Sequence, residues 1–283
     1  KKQKVPKERP NFFLAIQLTD TTISTAIQQV QDQIKTRLPD LLPKDFIKLH
    51  KLHITAFVLS VKSADDLHKV VSVIEKSKDI AQQFFPNGTL PAFSLQGVRS
   101  FEGHRVVWID LEQGNDKELL TNYVDTLHQF FKDNLPEVGF EKKKFIPHIT
   151  LFKSKKKSKH NKILPEHYEN FKTQPFGRQQ IEHMMLVAME EEEPGTRFYK
   201  CVCKYDFASS NCMIMNEPST FYFRKRKLSS APTEEPKEKR REEEGIIIME
   251  AQANNNNNNK EGEVQPGNND NKEGSSSGVC LDK

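Results

Sequence analysis

The sequence predicts an α+β domain over residues 10–223, followed by a polar tail over residues 224–283. Three observations lead there. Short apolar runs bounded by turn residues mark strands, and between them lie stretches whose apolar residues recur at three- and four-residue spacing, which marks helices. After Phe223 the apolar content collapses: the chain runs through SSAPTEEPKEKRREEEG, then six consecutive asparagines, then Gly, Asn, Glu and Ser to the end. Such a segment cannot bury enough apolar surface to offset its ordering entropy, so the tail is expected to be disordered.

The first strand falls on NFFLAIQL, residues 11–18. In TDTTISTAIQQVQDQI, the residues Ile23, Ile27, Val30 and Ile34 form one helical stripe behind a Thr/Asp cap region. KLHITAFVLSV is the second strand. The pattern SADDLHKVVSVIEKSKDIAQQF predicts a second helix, with Leu67, Val70, Val71, Ile74 and Ile80 as its stripe and Ser63 as its cap. Strands follow at TLPAFSLQGVRSF and RVVWIDLE, joined by a turn at EGH, and Trp108 in the latter reads as core. A third helix covers NDKELLTNYVDTLHQFFKDNL. Next come the strand KKFIPHITLF, a basic loop and a short helix at LPEHYENFKT. Two further strands, QQIEHMMLVAME and RFYKCVCKYDF, are linked by a turn at EEEPGT.

Composition narrows the function classes. A net charge of +4 supplies no global field toward nucleic acid, because the basic character is confined to KSKKKSKHNK and FRKRK. Those runs read as solvated loops; KSKKKSKHNK also reads as a phosphate-attracting rim or a nuclear localisation signal, and RKRKLSS has the pattern of a basophilic kinase target at Ser229. The four cysteines, Cys201, Cys203, Cys212 and Cys280, lack metal-site spacing and are expected to be thiols in a reducing compartment. No apolar run approaches the roughly 18 residues of a membrane helix, and no signal peptide is visible. The sequence starts at Lys1 rather than Met, so any targeting residues upstream would be out of view.

The chemistry sits in a repeated triplet. His-Ile-Thr occurs at 53–55, in KLHITAFVLS, and again at 148–150, in FIPHITLFKS. Side chains at i and i+2 of a strand share a face. His53 and Thr55 therefore project together, as do His148 and Thr150, while Ile54 and Ile149 point into a core. Of nine histidines only these two are followed two residues later by Ser or Thr, and both have a phenylalanine at the fourth position, Phe57 and Phe152. Two imidazoles and two hydroxyls without a carboxylate suit phosphodiester cleavage: one neutral His accepts a proton, one protonated His donates one, and the hydroxyls hold non-bridging oxygens. A zinc site would need a third ligand at recognisable spacing, and a serine-type triad would need a nucleophile elbow; neither occurs.

These residues resemble the two-histidine (2H) phosphoesterase superfamily, whose mark is two His-x-Thr/Ser motifs in a bilobal α+β domain. Within it the chain is similar to the family of the phosphoesterase-like, or nuclear-localisation-signal, domain of A-kinase anchoring protein 7. The likeness runs from Asn11 to Phe207 and includes NFFLAIQLT, LHIT, FIPHITLFK and LPEHYENFKTQPFGRQQIEHMML. The resemblance implies two β-sheet lobes with helices packed outside and the site in the central cleft. It also implies a site without metal or cofactor, with His53 and His148 as the acid/base pair and Thr55 and Thr150 as the phosphate binders. The implied activity is a metal-independent RNA phosphodiesterase acting on 2′,5′-linked oligoadenylate, with adenosine monophosphate as a further ligand.

Phe145 and Lys153 flank the second motif and Phe101 ends the third strand, so these three are candidates for base or phosphate contacts. Three other readings stay open: the same catalysis on another RNA end, a module that binds adenosine monophosphate without turnover, and a scaffold that recruits partners through its tail. Docking of a kinase regulatory subunit is not expected, because the tail offers only GIIIMEAQA before the asparagine run. The expected location is the cytoplasm, the nucleus or both.

Overall fold

The Asp20 side chain accepts a hydrogen bond from the Ile23 amide and so opens helix α1 (Thr21–Arg37). Ser63 does the same for α2 (Ala64–Lys76) through the Asp66 amide. The structure, a computed structural model, describes residues 9–141, 144–154 and 162–223. The polar tail, its GIIIMEA segment, Ser229, Cys280 and most of the two basic runs lie outside the described residues. Two more helices are present, α3 (Lys78–Phe84) and α4 (Asn115–Asn134). No helix among the described residues is long and apolar enough to cross a membrane.

The strands are β1 (Phe12–Gln17), β2 (His53–Ser60), β3 (Ala92–Ser100), β4 (Val106–Leu111), β5 (Gly139–Phe140), β6 (His148–Lys153), β7 (Pro175–Gln180), β8 (His183–Glu192), β9 (Tyr199–Asp206) and β10 (Asn211–Ile214). They pair antiparallel in the order β10-β9-β8-β1-β2-β6-β4-β3-β7, with β5 joined to β2. The two halves of this sheet meet at a single residue pair, Ile54 on β2 and Ile149 on β6. That is the bilobal plan: β1, β2, β8, β9 and β10 form one lobe, and β3, β4, β6 and β7 form the other.

Several elements differ from the sequence reading. QQIEHMMLVAME is divided: β7 stops at Gln180 and pairs with β3, whereas β8 starts at His183 and pairs with β1 and β9. Ile181 and Glu182 carry the chain between the two lobes. LPEHYENFKT forms two 3₁₀ turns, Pro165–His167 and Glu169–Phe171, rather than an α-helix. The second predicted helix breaks at Ser77, whose hydroxyl donates to the Ile74 carbonyl at 2.7 Å. The second motif strand begins at His148 rather than Lys143, since Pro147 has no amide to offer a ladder. Gly97 is required where it stands, with φ at 81° and an added Cβ only 2.3 Å from the Lys172 carbonyl oxygen.

The sheet has two unequal faces. The main core, under the helices, takes Phe12, Leu14 and Ile16 from β1 together with Ile54, Ile149, Leu151 and Phe152. On the opposite face a smaller cluster gathers Phe13, Ala15, Met185, Val187, Phe198 and Cys201. Strand β1 is thus buried on both sides, which is why its sequence is continuously apolar.

Each motif strand carries one extra residue just past its Thr. In the β1–β2 ladder Ala15 faces Thr55 and Leu14 faces Phe57, leaving Ala56 bulged. In the β4–β6 ladder Trp108 faces Thr150 and Val107 faces Phe152, leaving Leu151 bulged. The carbonyl that the second bulge frees accepts from the Ile47 amide at 2.8 Å and from Gln31 Nε2 on α1 at 3.1 Å. Gln31 Nε2 also donates to the Ile47 carbonyl at 2.8 Å and is almost wholly buried. Replacing it by Leu removes a buried donor from two carbonyls. Gln31→Leu is expected to destabilise the domain by about 1–3 kcal/mol in a denaturant titration, because the buried Ile47 carbonyl loses this donor and the Leu151 carbonyl keeps only the Ile47 amide.

Candidate active site

The Ile54–Ile149 pair brings the motifs together. Counting outward from it in antiparallel register sets His53 across from Thr150 and Thr55 across from His148. The isoleucines are buried on the core side, and the four polar side chains are half-buried on the other. The arrangement has an approximate two-fold axis through the isoleucine pair. On the flanks β1 sets Gln17 beside His53 and Ala15 beside Thr55, while β4 sets Asp110 beside His148 and Trp108 beside Thr150.

Both imidazoles are fixed in the same way. His53 Nδ1 lies 2.7 Å from the Lys51 carbonyl oxygen, and His148 Nδ1 lies 2.6 Å from that of Ile146. A carbonyl only accepts, so Nδ1 carries the proton in each ring and Nε2 is the atom that exchanges one. His53 Nε2 lies 3.1 Å from the Thr55 hydroxyl. Aromatic rings hold the imidazoles laterally. Phe13 and Tyr199 approach His53 at 5.0 and 5.4 Å between ring centres. Phe101 and Trp108 approach His148 at 5.0 and 5.6 Å.

Burial makes the charged form of both rings costly. It pushes His53 down to about 4, against the raising effect of the Lys51 carbonyl; the His148, Lys153 and Lys51 charges lower it further. His148 is lowered as well, first by burial and then by Lys153, while its bond to the Ile146 carbonyl and the Asp110 carboxylate work the other way. Asp110 itself is buried, and it receives Arg99 Nε at 2.9 Å and Lys117 Nζ at 2.7 Å.

The three secondary candidates separate. Phe101 is half-buried and stacks on Trp108, with centres 5.0 Å apart and planes at 26°. Lys153 lies an odd number of residues from His148, so simple alternation would turn it away from the site. The Leu151 bulge reverses that parity: Leu151 and Phe152 both enter the core, and Lys153 emerges, exposed, on the side of His148 and Thr150. Phe145 is different, because its ring is buried in the main core and leaves no open face for a base. Trp108 is buried as expected, yet on the site face, and its indole Nε1 has no hydrogen-bond partner among the described residues. Sequence reading also passed over Asp110 and Tyr199. For Asp110 the signal was the alternation in WID, which puts Trp108 and Asp110 on one face, but its relation to His148 needed the strand pairing. Among the described residues no three His, Cys, Asp or Glu side chains are grouped so as to hold a metal ion.

Two His-x-Thr strands paired at the centre of an antiparallel α+β sheet define a two-histidine phosphoesterase domain. Residues 10–207 match the model of the AKAP7 2′5′ RNA ligase-like domain, and the chain belongs to that family. Human A-kinase anchor protein 7 isoform gamma is 26% identical over 208 residues, which amount to 71% of this chain and 58% of the human protein. The chain thus spans little more than half the length of that relative. Among solved structures, TT0787 of Thermus thermophilus is similar at 18% identity and a TM-score of 0.48, covering 70% of this chain and 98% of that one. Escherichia coli LigT complexed with ATP is similar at 18% identity and a TM-score of 0.42, with the same coverage.

The electrostatics give a direct check. The Lys153 ammonium opposes protonation of both motif histidines. In Lys153→Ala the midpoints of His53 and His148, followed by NMR titration of the imidazole protons, are expected to rise together. Unmoved midpoints would place the Lys153 charge away from the site.

Proposed function

We propose that this domain is a phosphodiesterase that cleaves short RNA, with 2′,5′-linked oligoadenylate as its substrate, and that it works by proton transfer between two histidines without a metal ion. The observation that carries this reading is the matched fixing of the two imidazoles. Each Nδ1 is tied to the carbonyl two residues earlier, which leaves each Nε2 as the exchanging atom, and His53 Nε2 lies 3.1 Å from the Thr55 hydroxyl. Family membership supports the same chemistry. The name of that family, which refers to 2′5′ RNA, supports the choice of linkage.

In this reading the Thr55 and Thr150 hydroxyls donate to the non-bridging oxygens of the scissile phosphate and centre it over the Ile54–Ile149 axis. His53, which burial keeps neutral at pH 7, accepts the proton of the attacking hydroxyl at Nε2. His148, which has the Asp110 carboxylate beside it, donates its Nε2 proton to the departing ribose oxygen. One proton is taken and one is given, so the balance is the same whether the nucleophile is a neighbouring ribose hydroxyl or water. Phe101, stacked on Trp108 next to His148, offers a platform for a base, and Lys153 offers a charge for a phosphate oxygen. The sites of action proposed are the cytoplasm, the nucleus or both.

The decisive comparison is cleavage of 2′,5′- and 3′,5′-linked triadenylate in the presence of EDTA. Wild-type protein should cleave the 2′,5′ substrate selectively, and His53→Ala and His148→Ala should each lose about 10²–10⁴-fold in rate. Adenosine monophosphate binding without cleavage of either substrate would contradict the reading and leave a nucleotide-binding module.

The pH dependence has a definite sign. The base must be neutral, so kcat/KM rises with pH as His53 deprotonates near 4. The acid must be protonated, so kcat/KM falls as His148 loses its proton, below the ordinary histidine value. The expected profile in the free enzyme is a bell with its maximum on the acid side of about 6.5.

A further inference from the structure

The approximate two-fold symmetry of the site is broken at one place that bears on protons. Position for position, His53 matches His148, Thr55 matches Thr150, and the two histidine-fixing carbonyls match each other. On the flanking strands, however, Gln17 stands beside His53 where Asp110 stands beside His148. We propose that Asp110 is a positioning residue that makes His148, rather than His53, the proton donor of the pair. This inference rests on the acid/base reading given above.

Three features support it. Asp110 and His148 are directly opposed across the β4–β6 ladder, which puts their Cβ atoms about 4.5–5.5 Å apart on the same face. Asp110 is 5% exposed, and a carboxyl group so placed needs strong partners to offset its desolvation. It has two, Arg99 Nε from β3 and Lys117 Nζ from α4, with a long contact to Gln113 Nε2 at 3.5 Å. Arg99 stands on β3, on the side of β4 remote from β6, so the imidazole on β6 meets the carboxylate before it meets that guanidinium.

The charges around each imidazole complete the comparison. His148 faces Asp110 from β4, His53 from β2 and Lys153 from its own strand, with Arg99 and Lys117 behind Asp110. His53 faces Lys51, Lys153 and His148, and Lys51 is itself paired with Glu192 at 2.5 Å. A neighbouring carboxylate therefore favours an imidazolium at position 148, whereas the charges around position 53 all oppose one.

Two substitutions test this by NMR titration of the histidines in the full chain, with no substrate required. Asp110→Asn keeps the side-chain shape and removes the charge. The His148 midpoint should fall while the His53 midpoint stays where it is. Gln17→Glu installs the missing carboxylate beside His53, and the His53 midpoint should rise while that of His148 stays. In the cleavage assay, Asp110→Asn should lower kcat/KM about threefold or more on the alkaline limb and much less on the acid limb. A purely structural Asp110 would scale the whole profile without moving a limb. An unmoved His148 midpoint in folded Asp110→Asn overturns the proposal. If Asp110→Asn does not fold, Gln17→Glu decides alone, and an unmoved His53 midpoint overturns it. A wild-type chain that cleaves nothing contradicts the proposed function but leaves the titration test standing, so the two failures are distinguishable.

Discussion

The contact on which the site depends is the pairing of Ile54 with Ile149. It is the one ladder position at which β2 and β6 meet, and every relation between the two motifs follows from it. Both isoleucines are buried to 1% exposure in the main core, so the same apolar packing that joins the lobes fixes the faces of the motif strands. A shift of one residue in either strand would turn its His and Thr into the core and its isoleucine into the cleft. The hydrophobic cost of that slip protects the register of the motif side chains. Burial of Ile54 and Ile149 and presentation of four polar groups are two consequences of one alternation.

Placing the proton on each imidazole uses only local backbone. Each histidine is tied through Nδ1 to the carbonyl two residues before it, at the point where the chain enters the strand. A residue that hydrogen-bonds its own chain needs no distant partner, which explains how both motifs reach the same geometry in otherwise different surroundings. Those surroundings then set the differences. His53 lies among Phe13, Phe198 and Tyr199, an apolar and aromatic setting that keeps it neutral. His148 lies between an aromatic pair and a clamped carboxylate. Identical motifs thereby sit in unequal charge surroundings, which is what the proposed division into proton donor and acceptor calls for.

Much of this was legible in the sequence because strand alternation and helix periodicity are local. The triplet alone placed each His with its Thr, and the stripes Ile23–Ile27–Val30–Ile34 and Leu67–Val70–Val71–Ile74 marked the core faces of α1 and α2. What was hidden depended on contacts distant in sequence. The face of Lys153 is set by the Leu151 bulge, and that bulge is held by Gln31, 120 residues earlier in the chain. Asp110 gains meaning only from a strand partner, and Trp108 was assigned correctly to the interior but not to the site face. The division of QQIEHMMLVAME between two lobes leaves no mark in its hydrophobicity, because Ile181 is as buried as the strand residues around it.

The central claim is that the two histidines act as one proton-transfer unit across the Ile54–Ile149 pair. A double-mutant cycle on cleavage of 2′,5′-linked triadenylate, comparing His53→Ala, His148→Ala and the variant carrying both changes, tests it most directly. Residues that act as a unit are strongly non-additive. The account predicts that the double variant is no slower than the slower single variant. Losses that multiply in the double variant would show two independent contributions, and would contradict the account.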